Sequence, residues 1–375
     1  MKLRLDCRYL IGEKPCKYKS LCEDCSNYKP MGKRLLIIKL GAMGDVLRTT
    51  PLLKLLREKY DPGHITWVSD KASFQLLKEN PLIDKLYILD LNTILRLQVE
   101  EFDILYCLDK DTGATSLASL VKSKEKLGYG LEAHGNIYPL NKEAEYSFQL
   151  GINDPLKFKK NKQSYQEFIF EAIGLKFQGE EYILPVSDED LKYGQNLIKS
   201  KEIKEGDLVI GLNTGCGPIF ATKKWTLEGY VTLANKLHRE LKAKVLLLGG
   251  PEEVERNSQI KSLVDFPIID TGCDNTLMQF AGIVNSCHLI ITGDSIAMHF
   301  AIALKRLVLA IFGSTCAQEV YFYNRGKAMV PDLECAPCYR KICLDAPTSA
   351  KCMQLITVEE VYQEIVGLLK VHNLI

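Results

Sequence analysis

Short apolar runs alternate with amphipathic stretches along this chain, and past the midpoint the alternation begins again. In the first half RLLIIKL (34–40), HITWVSD (64–70), KLYILD (85–90) and FDILYCLD (102–109) read as buried strands. Between them PLLKLLREKY (51–60), ASFQLLKEN (72–80) and the spacing of Leu91, Ile94 and Leu95 read as helices. The second half has DLVIGLN, KVLLLGG, FPIIDTG, HLIITGD and RLVLAIFG as strands, separated by helix-patterned segments such as WTLEGYVTLANKLHREL and TLMQFAGIVNSC. Thr226 precedes the first of these helices as its expected N-cap. Strand alternating with helix predicts a parallel sheet covered on both faces, and two such sets predict two Rossmann-like halves. Residues 128–165 are rich in Gly, Asn, Lys and Tyr and read as loops, with a helix over 162–174. The stretch 180–206 reads as the join, and VEEVYQEIVGLLKVHNL (358–374) as a terminal amphipathic helix.

A chain of 375 residues exceeds one ordinary core and suits two domains. Its net charge of +1 is far from the strongly basic balance of nucleic-acid binders. No apolar run is long enough to cross a bilayer, and the N-terminus lacks a signal-peptide core, so a cytoplasmic protein is expected.

In open α/β sheets ligands bind beyond the carboxyl ends of the strands, and the candidate motifs fall there in both halves. Gly41, Met43, Gly44 and Asp45 follow the first strand of the first half. Thr214 and Gly215, then Gly250, Glu252 and Glu253, then Asp294 and Ser295 follow strands of the second, with His299 one turn into a helix. The GAMGDV loop lacks the third glycine of a dinucleotide fingerprint, and there is no GxxxxGK[ST]. Asp109 and Asp111 give only a weak metal–diphosphate pattern. An aspartate directly after Gly44 is ill suited to holding phosphate.

MGDVLRTTPLL, TKKW, LLLGGPEE and GDSIAMHFAIAL followed by VLAIFGST resemble, in this order, the motifs of glycosyltransferase family nine, the ADP-heptose:lipopolysaccharide heptosyltransferases and their relatives. The resemblance runs from about residue 33 to 365. It implies a GT-B fold, two Rossmann-like domains facing a cleft, with a C-terminal helix that packs back toward the first. It divides the chain into a Cys-rich appendix (1–31), an acceptor-side domain (32–180), a nucleotide-sugar domain (181–355) and a C-terminal helix (356–375). It implies inverting transfer of a sugar, heptose from ADP-heptose, to a lipid-linked lipopolysaccharide core oligosaccharide, with peripheral contact at the inner face of the inner membrane. Asp45 becomes the general base that takes the acceptor hydroxyl's proton; the alternative reading makes it a helix cap, weakened by Thr50–Pro51 as a second helix start. Gly41, Met43 and Gly44 form the acceptor-side loop around it.

On the donor side the resemblance makes Lys223, with Lys224 as rival, the cation for the diphosphate. Thr214 and Gly215 add a hydroxyl and open backbone. Ser295, Ile296 and Ala297 present helix N–H groups, Asp294 and His299 contact sugar or phosphate, and Gly250 with Glu252 or Glu253 takes the ribose. No catalytic metal is expected. Cys216 reads as packing.

Thirteen cysteines include two clusters of four. Cys7, Cys16, Cys22 and Cys25 read C-x8-C-x5-C-x2-C; Cys335, Cys338, Cys343 and Cys352 read C-x2-C-x4-C-x8-C. Each CxxC suits a structural zinc or an iron–sulfur cluster, which sequence does not separate, with free thiols or disulfides as the alternative. Two other functions stay open: a GT-B transferase with another nucleotide-sugar donor, and a non-catalytic, metal-stapled nucleotide-sugar-binding protein.

Overall fold

The computed structural model describes residues 3–217, 220–346 and 350–375, and its chain divides into two compact units. The first comprises 1–152 and 167–180, the second 153–166 and 181–375.

The first unit opens with β1 (Lys33–Ile38), α1 (Met43–Thr49), α2 (Leu52–Lys59), β2 (Gly63–Ser69) and α3 (Phe74–Leu77). It continues through β3 (Lys85–Ile88), α4 (Leu91–Val99), β4 (Glu101–Cys107), α5 (Thr112–Leu120), β5 (Lys122–Leu131) and β6 (Ile137–Pro139). It ends with α6 (Glu145–Gln149) and α7 (Tyr165–Glu171), whose first two residues belong to the second unit. The sheet order is β3-β2-β1-β4-β5-β6, parallel except for β6. β1 and β4 are central, and β1 ends in a continuous apolar run, buried throughout, as expected of a strand covered on both faces.

The second unit contains α8 (Asp188–Ser200), β7 (Val209–Asn213), α9 (Leu227–Leu241), β8 (Lys244–Leu248), α10 (Val254–Leu263) and β9 (Ile269–Asp270). After these come α11 (Leu277–Asn285), β10 (Leu289–Gly293), α12 (Ile296–Ala303), β11 (Leu307–Ile311), β12 (Gly326–Met329), α13 (Lys351–Leu355) and α14 (Val358–Val371). Its sheet, β12-β11-β10-β7-β8-β9, is parallel throughout. Thr226 caps α9 by accepting from Gly229 N, and Thr276 caps α11 from Gln279 N.

Several expectations are corrected. The stretch read as loops, 128–165, contains the end of β5 and the short strand β6, and the polar start of β5, KSKE, lies just before it. The join contains helix α8, capped by Ser187 and nearly devoid of buried side chains. It reaches α11 by backbone approach: a Cβ on Gly194 would lie 2.1 Å from Gly282 O, and one on Gly282 2.0 Å from Asp190 O. The domain boundary at 180 also misses residues 153–166, which belong to the second unit. There Lys159 Nζ donates to Glu334 O and Phe158 stacks on Tyr339. Helix α14 is no separate element: Val361, Tyr362, Ile365 and Leu369 enter the second unit's own core.

Each unit buries one of the chain's two tryptophans. Trp67 Nε1 donates to Lys39 O in the first, and Trp225 Nε1 to Ile356 O in the second. Residues 3–31 are grouped with the first unit and carry no helix or strand, only a bridge between Cys7 and Pro30. Among the described residues no helix is long and apolar enough to cross a membrane.

Candidate functional site

Each sheet reverses its strand order once, between β1 and β4 in the first unit and between β7 and β10 in the second. At such a switch point the two flanking loops diverge and leave room for a ligand.

In the first unit the loop after β1 is held down by the loop after β4. Asp109 Oδ2 accepts from Leu40 N (3.1 Å), Gly41 N (3.3 Å) and Lys39 Nζ (3.2 Å). Lys39 is nearly fully buried, and its Nζ also donates to Gly41 O at 2.6 Å. The chain then turns into α1, whose N-cap is Ala42, without a side-chain cap. Asp45 therefore sits in the first helical turn and is not the cap. Thr50 closes α1, donating to Leu47 O, and does not cap α2. Asp45 Oδ1 accepts from Arg48 Nε (3.0 Å) and lies 2.8 Å from its Nη2, while Oδ2 lies 3.8 Å from Lys39 Nζ. Its side chain is 35% exposed, so an oriented carboxylate remains open to an incoming group. Met43 and Gly44, on either side of the turn, are half-buried. Asp111 caps α5, accepting from Gly113 N and Ala114 N, so the two carboxylates of Asp-Lys-Asp serve different backbone sites.

In the second unit Asn213 spans the switch point. Its Nδ2 donates to Gly215 O (2.9 Å), Thr292 Oγ1 (3.0 Å) and Ser295 Oγ (3.1 Å), and its backbone carbonyl accepts from Tyr230 OH. Thr214 is buried, and its hydroxyl donates to Asn257 Oδ1 at 2.5 Å, a structural commitment where a ligand contact was expected. Gly215 is required by close approach: a Cβ there would lie 2.0 Å from Glu253 Cδ. Glu253, also buried, accepts from Gly250 N through Oε2. Its Oε1 has no hydrogen bond among the described residues and lies 3.8 Å from Lys224 Nζ. Glu252 is exposed.

Lys223 Nζ donates to Asp294 Oδ2 at 2.8 Å. Burial pushes the Asp294 carboxyl up, but the Lys223 ammonium and His299 outweigh it and leave it below its ordinary value. Ser295 is the N-cap of α12, yet its hydroxyl bonds Asn213 and Thr292 and leaves the helix without a side-chain cap. The N–H groups of Ile296 and Ala297 thus open the positive end of α12 beside Lys223 and Asp294. His299 is buried one turn on, its ring stacked on Tyr182. Burial pushes the Cys216 thiol up to about 11, which suits packing and not nucleophilic attack.

Lys39, Arg48 and Asn257 were not found by motif reading, and the bracing roles of Asp109 and Asn213 were not foreseen. They act on other site groups from inside the fold, and only Lys39 and Arg48 lie close to Asp45 in sequence. Of the eight clustered cysteines, Cys7 and Cys352 are buried and Cys335 is exposed, and all thirteen are free thiols. Among the described residues no three Cys, His, Asp or Glu side chains converge on a single-ion position.

The family model for glycosyltransferase family 9 (heptosyltransferase) matches residues 93–348. Lipooligosaccharide heptosyltransferase 2 of Campylobacter jejuni is 24% identical over 342 residues, covering 88% of this chain and 96% of that protein. Among solved structures, a glycosyl transferase family 9 protein from Veillonella parvula superposes with a TM-score of 0.69 at 21% identity, over 90% of this chain and 97% of that one. The ADP-heptose lipopolysaccharide heptosyltransferase II of E. coli gives 0.65 at 17% identity, over 91% and 99%. The fold is therefore of the GT-B class.

Proposed function

The chain belongs to glycosyltransferase family 9, the heptosyltransferases, and from that premise we propose that it transfers heptose from ADP-heptose, with inversion, to a lipopolysaccharide-core acceptor. The observation that carries the mechanism is Asp45: a half-exposed carboxylate on a braced first turn, oriented by Arg48 and Lys39. In this reading the acceptor hydroxyl oxygen attacks the anomeric carbon of the donor. Its proton passes to Asp45, the bond from that carbon to the diphosphate oxygen breaks, and the nucleoside diphosphate leaves with the electron pair. One positioned base is what inversion needs.

The leaving group gains negative charge as the bond breaks, and donors fixed in advance stabilise it best. Lys223, with Lys224 beside it, and the open amino end of α12 supply that charge. Asp294 holds Lys223 in place and faces the sugar hydroxyls with His299. Glu253 Oε1, next to Lys224, takes the ribose. A lipid-linked acceptor would bring the protein to the inner face of the inner membrane as a peripheral visitor.

The test is a thermal-shift titration with ADP, UDP, GDP and CMP, followed by transfer to a heptose-deficient core read by mass spectrometry. Selective stabilisation by ADP and a heptose-sized mass gain support the reading. Stabilisation by UDP or GDP alone replaces the donor. No shift with any nucleotide overturns the donor site.

A further inference from the structure

Residues 3–31 pose a folding problem that the transferase does not explain. Nearly thirty residues adopt a defined path without a helix or strand, and Cys7 is their only buried residue. Leu3, Leu5, Ile11 and Leu21 remain exposed. A segment of this size cannot hold itself by apolar burial, and small folds of this kind rely on disulfides or metal. No disulfide is present, since all four cysteines are free.

The path is nonetheless organised around the thiols. Leu10 N donates to Cys7 O, Lys19 N to Cys16 O and Tyr28 N to Cys25 O, so a tight turn follows three of the four cysteines. The four cysteines line one cavity of about 620 Å³, with Arg4, Lys14 and Tyr28 also on its wall. Cations such as Arg4 and Lys14 on the wall favour anionic thiolates.

The dimensions separate two occupants. A zinc ion draws four sulfurs to about 2.3 Å from one point. Here no three ligating side chains among the described residues converge in that way, although all four thiols share one cavity. An iron–sulfur cluster takes its thiolates at separate corners of a larger body. We propose that Cys7, Cys16, Cys22 and Cys25 ligate an iron–sulfur cluster that fastens residues 3–31 to the edge of the first unit. The fastening runs through Arg8, which follows the first ligand: its Nη2 donates to Gly63 O at 2.7 Å and its Nη1 lies 3.8 Å from Asp84.

The experiment is to purify the full chain anaerobically and assay iron, acid-labile sulfide and zinc. Expected are iron and sulfide in equal amounts, more than one of each per chain, with a broad visible absorption that dithionite bleaches. The Cys22→Ser, Cys25→Ser double variant is expected to lose this iron and sulfide at least tenfold relative to a Cys335→Ser, Cys338→Ser control. If the double variant is insoluble, single Cys16→Ser decides by a changed electron paramagnetic resonance spectrum of the reduced cluster. One zinc per chain without sulfide overturns the proposal. So does metal-free protein with four freely titrating thiols, or iron that survives loss of Cys22 and Cys25 and disappears with Cys335 and Cys338. None of these readouts depends on sugar transfer.

Discussion

The two sheets solve one geometric problem with opposite chemistry. In each, one polar side chain joins the loops on either side of the strand-order reversal. In the first unit it is Asp109, an anion that collects two backbone N–H groups and the ammonium of Lys39. In the second it is Asn213, a neutral amide whose Nδ2 gives hydrogen bonds to a carbonyl and two hydroxyls. The anionic brace keeps buried Lys39 beside a carboxylate, Asp45, that faces outward. The neutral brace leaves the electrostatics of its loop to the Lys223–Asp294 pair and the amino end of α12. In the proposed mechanism, a proton-accepting site and an anion-receiving site thus differ mainly in what surrounds the brace.

The sharpest way to break this comparison is Asp45→Asn. Loss of a positioned base is expected to lower kcat by about 10²–10⁴-fold. The thermal shift with ADP should be unchanged, because the second unit is untouched. A kcat within a few-fold of wild type would remove Asp45 from the chemistry.

The next largest effect concerns pH. Burial lowers His64, in β2, to about 4 from its ordinary 6.5. The unfolded chain then binds a proton in that window that the folded chain refuses. Stability falls as pH drops below 6.5 and levels off near 4, by about 3 kcal/mol in total. Urea unfolding at pH 7.5 and 4.5 should show this loss in wild type and not in His64→Gln; equal losses in both would refute it. Asp294 has the opposite sign of perturbation for its charge. Held below its ordinary value, it adds stability that is complete above the ordinary carboxylate range and is lost only as pH falls through its lower native value.

A smaller effect is expected from Lys223→Ala. Losing a charged hydrogen-bond donor typically costs about 1.5–3 kcal/mol, a roughly tenfold to hundredfold rise in donor KM. Initial rates over a donor series measure it, and an unchanged KM would transfer the role to Lys224. The mildest is Asp109→Asn, which keeps an acceptor but removes the charge paired with Lys39. A drop in kcat of about fivefold without a change in ADP affinity is expected, since charged and neutral acceptors differ by about 1 kcal/mol. A raised donor KM would mean that the braces are not confined to their own units.

Much of the frame was legible from periodicity. The strands at 35–38, 209–213 and 289–293 are buried on both faces, so their apolar runs are uninterrupted. Helix α8 was illegible for the complementary reason: its contact with α11 is glycine against backbone, and hydrophobic spacing does not record it. The polar first half of β5 likewise gave no apolar run to mark the strand. For the candidate site, motif spacing singled out Asp45, Gly215, Lys223 and Asp294 as candidates. It marked Asp109 only as part of a weak metal–diphosphate pattern and did not lead to Asn257; their partners lie 69 and 43 residues away. Such pairings arise from strand order, which local pattern does not encode. Thr214 shows the converse: a strand-end residue of the expected type whose hydroxyl is occupied within the fold.

The placement of the two tryptophans gives each unit its own optical reporter. Trp67 is tied to the carbonyl of Lys39, and Trp225 directly follows Lys223 and Lys224 in the chain. Replacing either with phenylalanine leaves a chain whose ultraviolet emission comes from one indole beside one switch point. Nucleotide-induced quenching and unfolding of one half can then be followed without attaching a dye, in the light of a single residue.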